Sequence, residues 1–413
     1  QREPLQRALD ACDRAVRAFP ESAATYTTRA YALYRSYRAP DVYRALKDPR
    51  PFLEDWRRTA ARAVELAPDD AQAYDALGNA HLFRGFYEIR VGGDPEPHFD
   101  AAIAALSRAL AIEPNHPWAH NDLGVVHRWR GSYREGRGQD PRPSYREAVA
   151  CYERAAAVDP TYLAALSNMI DLHTSIADFE SQIGLDPTAA MESARAAGER
   201  CLLVNPNYAW ALVRVAQAEL VLATYQLGSG GDPRAAVART VERLARAEKI
   251  NANDVRLHYY RALGARLLAE HAIATGSDGT AEAQDARRAL DAAGKLDPEC
   301  ADCLVESALL RRLMAVAAKD RRETGLLLGD ALADAWRAAK IDDGSAEAHE
   351  AIARIDWTIA SALDDRFDAT STWSVIRSCL SGLSTTSLAR ATSGWRRTIS
   401  ATCEGGTNIP LTL

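Results

Sequence analysis

The dipeptide Asp-Pro recurs through this chain at a fixed interval. Asp48-Pro49, Asp94-Pro95, Asp140-Pro141, Asp186-Pro187 and Asp232-Pro233 stand 46 residues apart, and one further step reaches Asp278-Gly279. Such a period restricts the chain to a repeat architecture, in which each repeat buries its apolar face against the next, and argues against two or three independent globules. A second marker keeps nearly the same step. Pro20, Pro68, Pro114, Pro160, Pro206 and Pro298 close helical stretches, with Ala252 and Asp343 where proline is missing. Ahead of these markers run small-and-apolar segments (AVRAF, AVELA, ALAIE, AAAVD, CLLVN), and after them comes a second helical pattern, clearest in AYDALGNAHLFRGFY (73–87) and AHNDLGVVHRWRGSY (119–133).

Ala, Arg, Leu and the acidic residues dominate and strand-favouring runs are scarce, which predicts an almost wholly helical chain. With 47% hydrophobic and 26% charged residues the composition is that of an ordinary soluble protein. The net charge of −6 is too small for an acidic tail or a nucleic-acid surface. No apolar run reaches the roughly 18 residues of a membrane span. The opening QREPLQRALD has no apolar signal core. Seven scattered cysteines show no disulfide framework, so we expect a reducing, cytoplasmic setting without a membrane partner.

Two stretches carry a resemblance. Tyr74, Leu77, Gly78, His81, Gly85 and Tyr87, and then His120, Leu123, Gly124, His127, Gly131 and Tyr133, resemble the first helix of a tetratricopeptide repeat (TPR). The small–bulky–small–Pro pattern of that family's second helix is matched by Ala102, Leu106, Ala109 and Pro114, and by Ala148, Tyr152, Ala155 and Pro160. The family's usual repeat has about 34 residues. This one is a dozen longer, and the extra residues lie around the Asp-Pro pair, lengthening each helix by about one and a half turns. The resemblance covers about residues 5–365 and implies an all-α fold, a right-handed α-solenoid of antiparallel helix pairs. In later repeats Ile170, Ala216, Ala262 and Ala308 replace the first glycine.

Each Asp-Pro is then expected at a hairpin tip. Asp caps free backbone N–H groups at a helix start, and Pro suits the first turn because it has no N–H to lose. Gly92, Gly93, Gly136, Gly138, Gly184, Gly228, Gly230 and Gly231 suit the end of the preceding helix. A ridge of equivalent loops offered to a partner is the functional alternative; capping and hairpin geometry need no ligand and are preferred. The solenoid is expected over residues 1–365: a lone second helix near 5–18, seven helix pairs starting near residues 21, 69, 115, 161, 207, 253 and 299, and a last first helix near 345–363. Opening on an unpaired second helix implies residues upstream. After Asp368 the markers stop and Ser and Thr accumulate. Within residues 366–413, Trp373, Ile376, Leu380 and Leu383 suit one amphipathic capping helix ahead of a loose tail. The abrupt change also fits a frameshift in the coding sequence.

Catalytic signatures are missing: there is no Gly-rich phosphate loop with Lys and Ser/Thr, no His-Glu-x-x-His and no Gly-x-Ser-x-Gly elbow. GSGGDPR (228–234) is read as a loop because no strand precedes it. Cys300 and Cys303 form a C-x-x-C, either half a metal site, a redox pair, or two small packing residues at a helix start; with no second ligand pair nearby, packing is preferred. His81, His127 and His173 recur at one helical position and are read as packing rather than as a metal or pH-sensing stripe. No catalytic residue, metal site or cofactor is expected, and the chain is read as no enzyme.

The resemblance also implies a concave groove lined by the first helices. Its binding residues would be Tyr31, Asn79, Phe83, Trp118, Asn121, Asp122, Trp129, Asn168, Trp210, Arg214, Tyr259 and Tyr260, flanked by Thr27, Thr28, Asp75, Ser167, Asp171, Gln217 and Arg266. Aromatic anchors beside amides and charges suit capture of a protein or peptide, with some aromatics alternatively packing inside the solenoid. Asp75 and Asp122 stand where a carboxylate clamp would need Lys and Asn, so recognition of a C-terminal carboxylate is not expected. The loop GRGQDPRPSYREA (136–148) resembles those of TPR arrays in the C-terminal regions of large bacterial, myxobacterial-type serine/threonine protein kinases. That implies a docking or sensing arm; a free-standing adaptor is the alternative, with an enzyme or an RNA-binding helical repeat less favoured. No kinase signature occurs in the chain itself.

Overall fold

The computed structural model describes residues 2–39, 48–342 and 344–363. The expectations for residues 366–413, including the capping helix through Trp373, Ile376, Leu380 and Leu383, lie outside them. Helix α1 (Arg2–Ala18) is followed by α2 (Ala23–Tyr37) and α3 (Arg50–Leu66), α4 (Ala71–Arg90) and α5 (Glu96–Ile112), α6 (Pro117–Gly136) and α7 (Arg142–Val158), and α8 (Leu163–Gln182) and α9 (Thr188–Val204). Then come α10 (Ala209–Gly228) and α11 (Arg234–Ile250), α12 (Val255–Ala274) and α13 (Thr280–Leu296), α14 (Ala301–Ala317) and α15 (Arg321–Ile341), and α16 (Ala346–Leu363). No strand occurs among the described residues, and the fold is an all-α solenoid of helix hairpins. From α4 to α13 the lengths alternate between 20 and 17 residues.

The tips explain the fixed interval. Gly92, Gly138, Gly184, Gly230 and Gly276 lie in the left-handed region, with φ between 74° and 78°, at every 46th residue. There glycine ends the first helix without a Cβ clash. The next N–H reaches back around each glycine, as in Gly93 N to Glu88 O (2.8 Å) and Gln139 N to Arg134 O (2.9 Å), the pattern of a Schellman cap. Two residues on, Asp takes over. Asp48, Asp94, Asp140, Asp186, Asp232 and Asp278 each accept a backbone N–H from the second residue after them, at 2.9–3.1 Å. Pro49, Pro95, Pro141 and Pro233 already hold helical φ and ψ at the start of the second helix. The dipeptide is capping chemistry.

The chain divides into two compact units, Gln1–Ile176 with Ala196–Pro206, and Ala177–Arg195 with Asn207 onward. In the first, consecutive helices from α1 to α7 pack on one another, and the first helices α2, α4 and α6 also touch directly. In the second, the same holds from α10 to α16, with α10, α12, α14 and α16 in direct sequence. The hairpins of the first unit close on small-to-large contacts. A Cβ added to Gly78 would lie 2.5 Å from Leu106 Cγ, one at Gly85 2.7 Å from Phe99 Cε1, and one at Gly124 2.6 Å from Tyr152 Cε1. Phe99, Leu106 and Tyr152 are fully buried, each burial contributing about 2–3 kcal/mol. Where Ile170 replaces the glycine, the residue in register with Leu106 and Tyr152 is Gly198, so the bulk changes sides. Ile170, Ala216, Ala262 and Ala308 are all fully buried.

Gly131 is the tightest test of this packing. A Cβ there would lie 2.6 Å from Cδ1 of Tyr145, a buried ring whose hydroxyl donates to Glu135 at 2.7 Å and so has no room to swing. Gly131→Ala should lower stability by about 1–3 kcal/mol. Gly294→Ala, at an exposed position of α13 with nothing within 4 Å, should leave stability unchanged or raise it by up to about 1 kcal/mol. Shifts in the chemical denaturation midpoint measure both.

Candidate functional site

In the first compact unit a hydrogen-bonded row of polar side chains crosses four successive first helices. Tyr31 on α2 donates its hydroxyl to Oδ2 of Asp75 on α4 at 2.9 Å. Asn79, one turn along α4 and so on the same face, donates Nδ2 to Oδ2 of Asp122 on α6 at 2.6 Å and lies 3.5 Å from Asp75 Oδ2. Asn121 donates to the other oxygen of Asp122 at 2.9 Å, and Asn168 on α8 donates to Asn121 Oδ1 at 2.9 Å. Asp75 and Asn121 are equivalent positions one repeat apart, as are Asp122 and Asn168. The row exists because polar side chains on one first helix meet those on the next across the contact between adjacent first helices.

Burial decides the electrostatics. Asp75, Asn79 and Asn121 are buried, while Asp122 is half-buried. Loss of water, and then the neighbouring Asp122, push the Asp75 carboxyl well above the usual carboxylate range, against the opposing hydrogen bond from Tyr31. Burial also raises Asp122, opposed by Asn79, Asn121, Arg38 and His116. Two carboxylates this close resist double ionisation. Asp75 is raised the more strongly, its Oδ1 being buried with no partner while both oxygens of Asp122 receive amide N–H groups. The Tyr34 hydroxyl accepts from Arg38 at 2.5 Å. Burial, and then Asp122, Tyr34 and Asp75, push the Tyr162 phenol up, which places Tyr162 in the same field. Tyr34, Arg38 and Tyr162 were not legible as members: repeat register does not align them with the row.

The other expected groove residues fall into distinct places. Phe83 packs against Trp56, Tyr34 and Phe86 at ring distances of 5.2–5.7 Å, inside an apolar cluster. Trp129 lies on Phe86 at 4.8 Å. Trp118, at 47%, is exposed, as is the flanking Thr28. In the second unit, Trp210 is stacked by the guanidinium groups of Arg214 and Arg256 at 4.3 and 4.7 Å. Arg214 also donates to Gln217, and Arg256 pairs with Asp254. Tyr259 and Tyr260 contact each other at 5.1 Å, and Arg266 is buried between Glu306 and Glu270.

The packing reading of Cys300 and Cys303 needs correction, because the two sulfurs form a disulfide. Spacing alone cannot distinguish two packing thiols from a bonded pair. His81, His127 and His173 are half-buried, and burial lowers all three, His81 to about 4. No group of three or more His, Cys, Asp or Glu among the described residues is arranged to hold a metal ion. No helix among them is long and apolar enough to cross a membrane.

No protein-family model and no curated protein matches the chain. Among solved structures it is similar to a tetratricopeptide repeat protein from Parabacteroides merdae, at 13% identity and a TM-score of 0.44, over 73% of this chain and 98% of that one. It is also similar to the Cut9–Hcn1 hetero-tetramer of the APC/C, at 11% identity and 0.47, over 85% of this chain and 52% of that one. A third similarity is to human IFIT1 with PPP-AAAA, at 13% identity and 0.43, over 86% and 68%. The helix hairpins themselves define the class, an α-solenoid repeat protein.

The raised Asp75 carboxyl makes stability depend on pH. Its folded-state affinity for a proton lies above the ordinary value of 3.8, so its contribution to stability is complete below that pH and is lost as pH rises through the folded value. Asn at this position keeps an acceptor for Tyr31 and removes the titration. Asp75→Asn should therefore gain thermal stability relative to the unaltered chain as pH rises from about 4 to about 8. The lowered histidines act in the opposite sense, losing stability as pH falls, but they are common to both chains and cancel in the difference. A pH series of melting temperatures checks it.

Proposed function

We propose that the chain is a non-enzymatic scaffold that holds an extended segment of a protein partner along the face of its first helices. The half-buried members of the row, Tyr31, Asp122 and Asn168, would face the segment, held in place by the buried Asp75, Asn79 and Asn121. The observation that carries this is the fixing of Asn79, Asn121, Asp122 and Asn168 by one another. Side chains already locked in place lose little further entropy when a partner arrives. Half-buried Tyr31, Tyr34 and Tyr162 and exposed Trp118 supply contact area beside them. Asp122 is the half-exposed acid of the row, so the segment that fits brings a lysine, an arginine or an amino terminus to it. A C-terminal carboxylate would meet like charge.

As to context, the loop over residues 136–148 and the resemblance it carries support placing this scaffold as a docking or sensing arm of a larger cytoplasmic signalling protein of the bacterial serine/threonine kinase kind. The chain's catalytic role would then be none. Trp210, Arg214, Tyr259 and Tyr260 would extend the contact surface separately in the second unit.

Immobilised full chain should enrich basic sequences from a random peptide library. Asp122→Asn and Trp118→Ala should each weaken capture of the enriched peptide by about 10-fold or more, with unchanged helical circular dichroism. Capture unaffected by both substitutions, or enrichment of acidic peptides, would refute the reading.

A further inference from the structure

We propose that Cys300 and Cys303 form a reversible dithiol–disulfide site that exchanges with a small-molecule thiol and its disulfide. The repeats provide an internal comparison. Cys300 is the cap of α14, and its sulfur accepts the Cys303 backbone N–H at 3.2 Å. At the same register, Asp70, His116 and Asp254 cap their helices by accepting Gln72, Ala119 and Arg256 N–H at 2.9–3.2 Å. Oxygen or nitrogen does that work, so capping does not call for sulfur. In the register of Cys303 stand Ala73, Ala119, Ala165, Ala211 and Leu257, all fully buried apolar residues, so packing does not call for sulfur either. Both thiols depart from the repeat together, three residues apart on one helical turn, and the structure joins them.

A folding staple is a poor account of the bond. It closes one of the shortest rings a disulfide can close, and so constrains the unfolded chain least. The hairpin of α14 and α15 has its own apolar core in Val305, Ala308, Leu328, Ala331 and Ala335. The exposures are unequal, Cys300 being half-buried and Cys303 buried. In the dithiol state the outer sulfur, at the N-terminus of a 17-residue helix, is the one stabilised as a thiolate. Asp302 lies between the two cysteines, and burial, then Glu347 and Asp342, push its carboxyl up; these acids oppose the pull of the helix N-terminus on a thiolate.

The Cys300 thiolate attacks one sulfur of the small disulfide, breaking its S–S bond and releasing one thiolate, which takes up a proton. The resulting mixed disulfide on Cys300 is attacked by Cys303, which gives up its proton. The Cys300–Cys303 bond forms and the second small thiol leaves. The protein dithiol is oxidised by two electrons and the small disulfide is reduced to two thiols. Excess small thiol drives the reverse.

The test uses the full chain in glutathione buffers of graded thiol-to-disulfide ratio, followed by acid quenching, alkylation and mass spectrometry of the peptide bearing both cysteines. The expected result is a reversible two-electron transition with one midpoint and unchanged circular dichroism. With oxidised glutathione, Cys303→Ser should trap glutathione on Cys300 at least about 10-fold faster than Cys300→Ser traps it on Cys303. A pair that stays dithiol in fully oxidised buffer overturns the proposal. So does a bond that reduces only when the chain unfolds, or equal trapping in the two variants. Should either variant fail to fold, the titration of the unaltered chain still decides.

Discussion

The structure depends on how closely two helices of a hairpin can approach. In the first compact unit that distance is set by glycine facing a ring or a leucine: Gly78 against Leu106, Gly85 against Phe99, Gly124 against Tyr152 and Gly131 against Tyr145. Each pairing seats a large apolar side chain in the space a Cβ would fill, and dispersion and water exclusion both gain from the fit. Once the hairpins are this thin, neighbouring first helices touch as well, and only then can short polar side chains reach from one helix to the next.

The polar row is a consequence of that closeness. Asn79 spans two carboxylates on different helices, and Asn168 reaches Asn121 with an amide alone. A looser solenoid would leave these groups to water, with Asp75 an ordinary acid. Here burial pushes the Asp75 carboxyl well up, and Asp122, raised less, lies half-buried at the edge of the site. The same contact that stabilises the stack thus gives its surface a chemical preference. In the second unit Arg214 stands in the register of Asp122 and Asn168, and it and Arg256 lie over the Trp210 ring, with cation–π attraction in place of the row's hydrogen bonds.

The recurring dipeptide and its preceding glycine serve a different end. Left-handed Gly92, Gly138, Gly184, Gly230 and Gly276 terminate one helix, and the following Asp starts the next. Because these are local backbone requirements, repeat after repeat meets them with the same residues. Interior positions are free to trade bulk between helices, as at Ile170 and Gly198.

That difference separates what was legible in the chain from what was not. Period, helical class and hairpin tips rest on local rules of capping, glycine conformation and apolar spacing, each satisfied within a few consecutive residues, and so the sequence by itself determined them. It also brought Asn79, Asn121, Asp122 and Asn168 to notice as one face. It did not reveal that Phe83 would serve the core, that Arg38 and Tyr162 would join the field of Asp122, or that Cys300 and Cys303 would bond. Nor did it show that burial would push the Asp75 carboxyl up. Those outcomes turn on distances of a few ångströms between residues tens of positions apart and on the exclusion of water from between them. Only the tertiary structure decided them, because helix approach sets those distances and no local pattern encodes it.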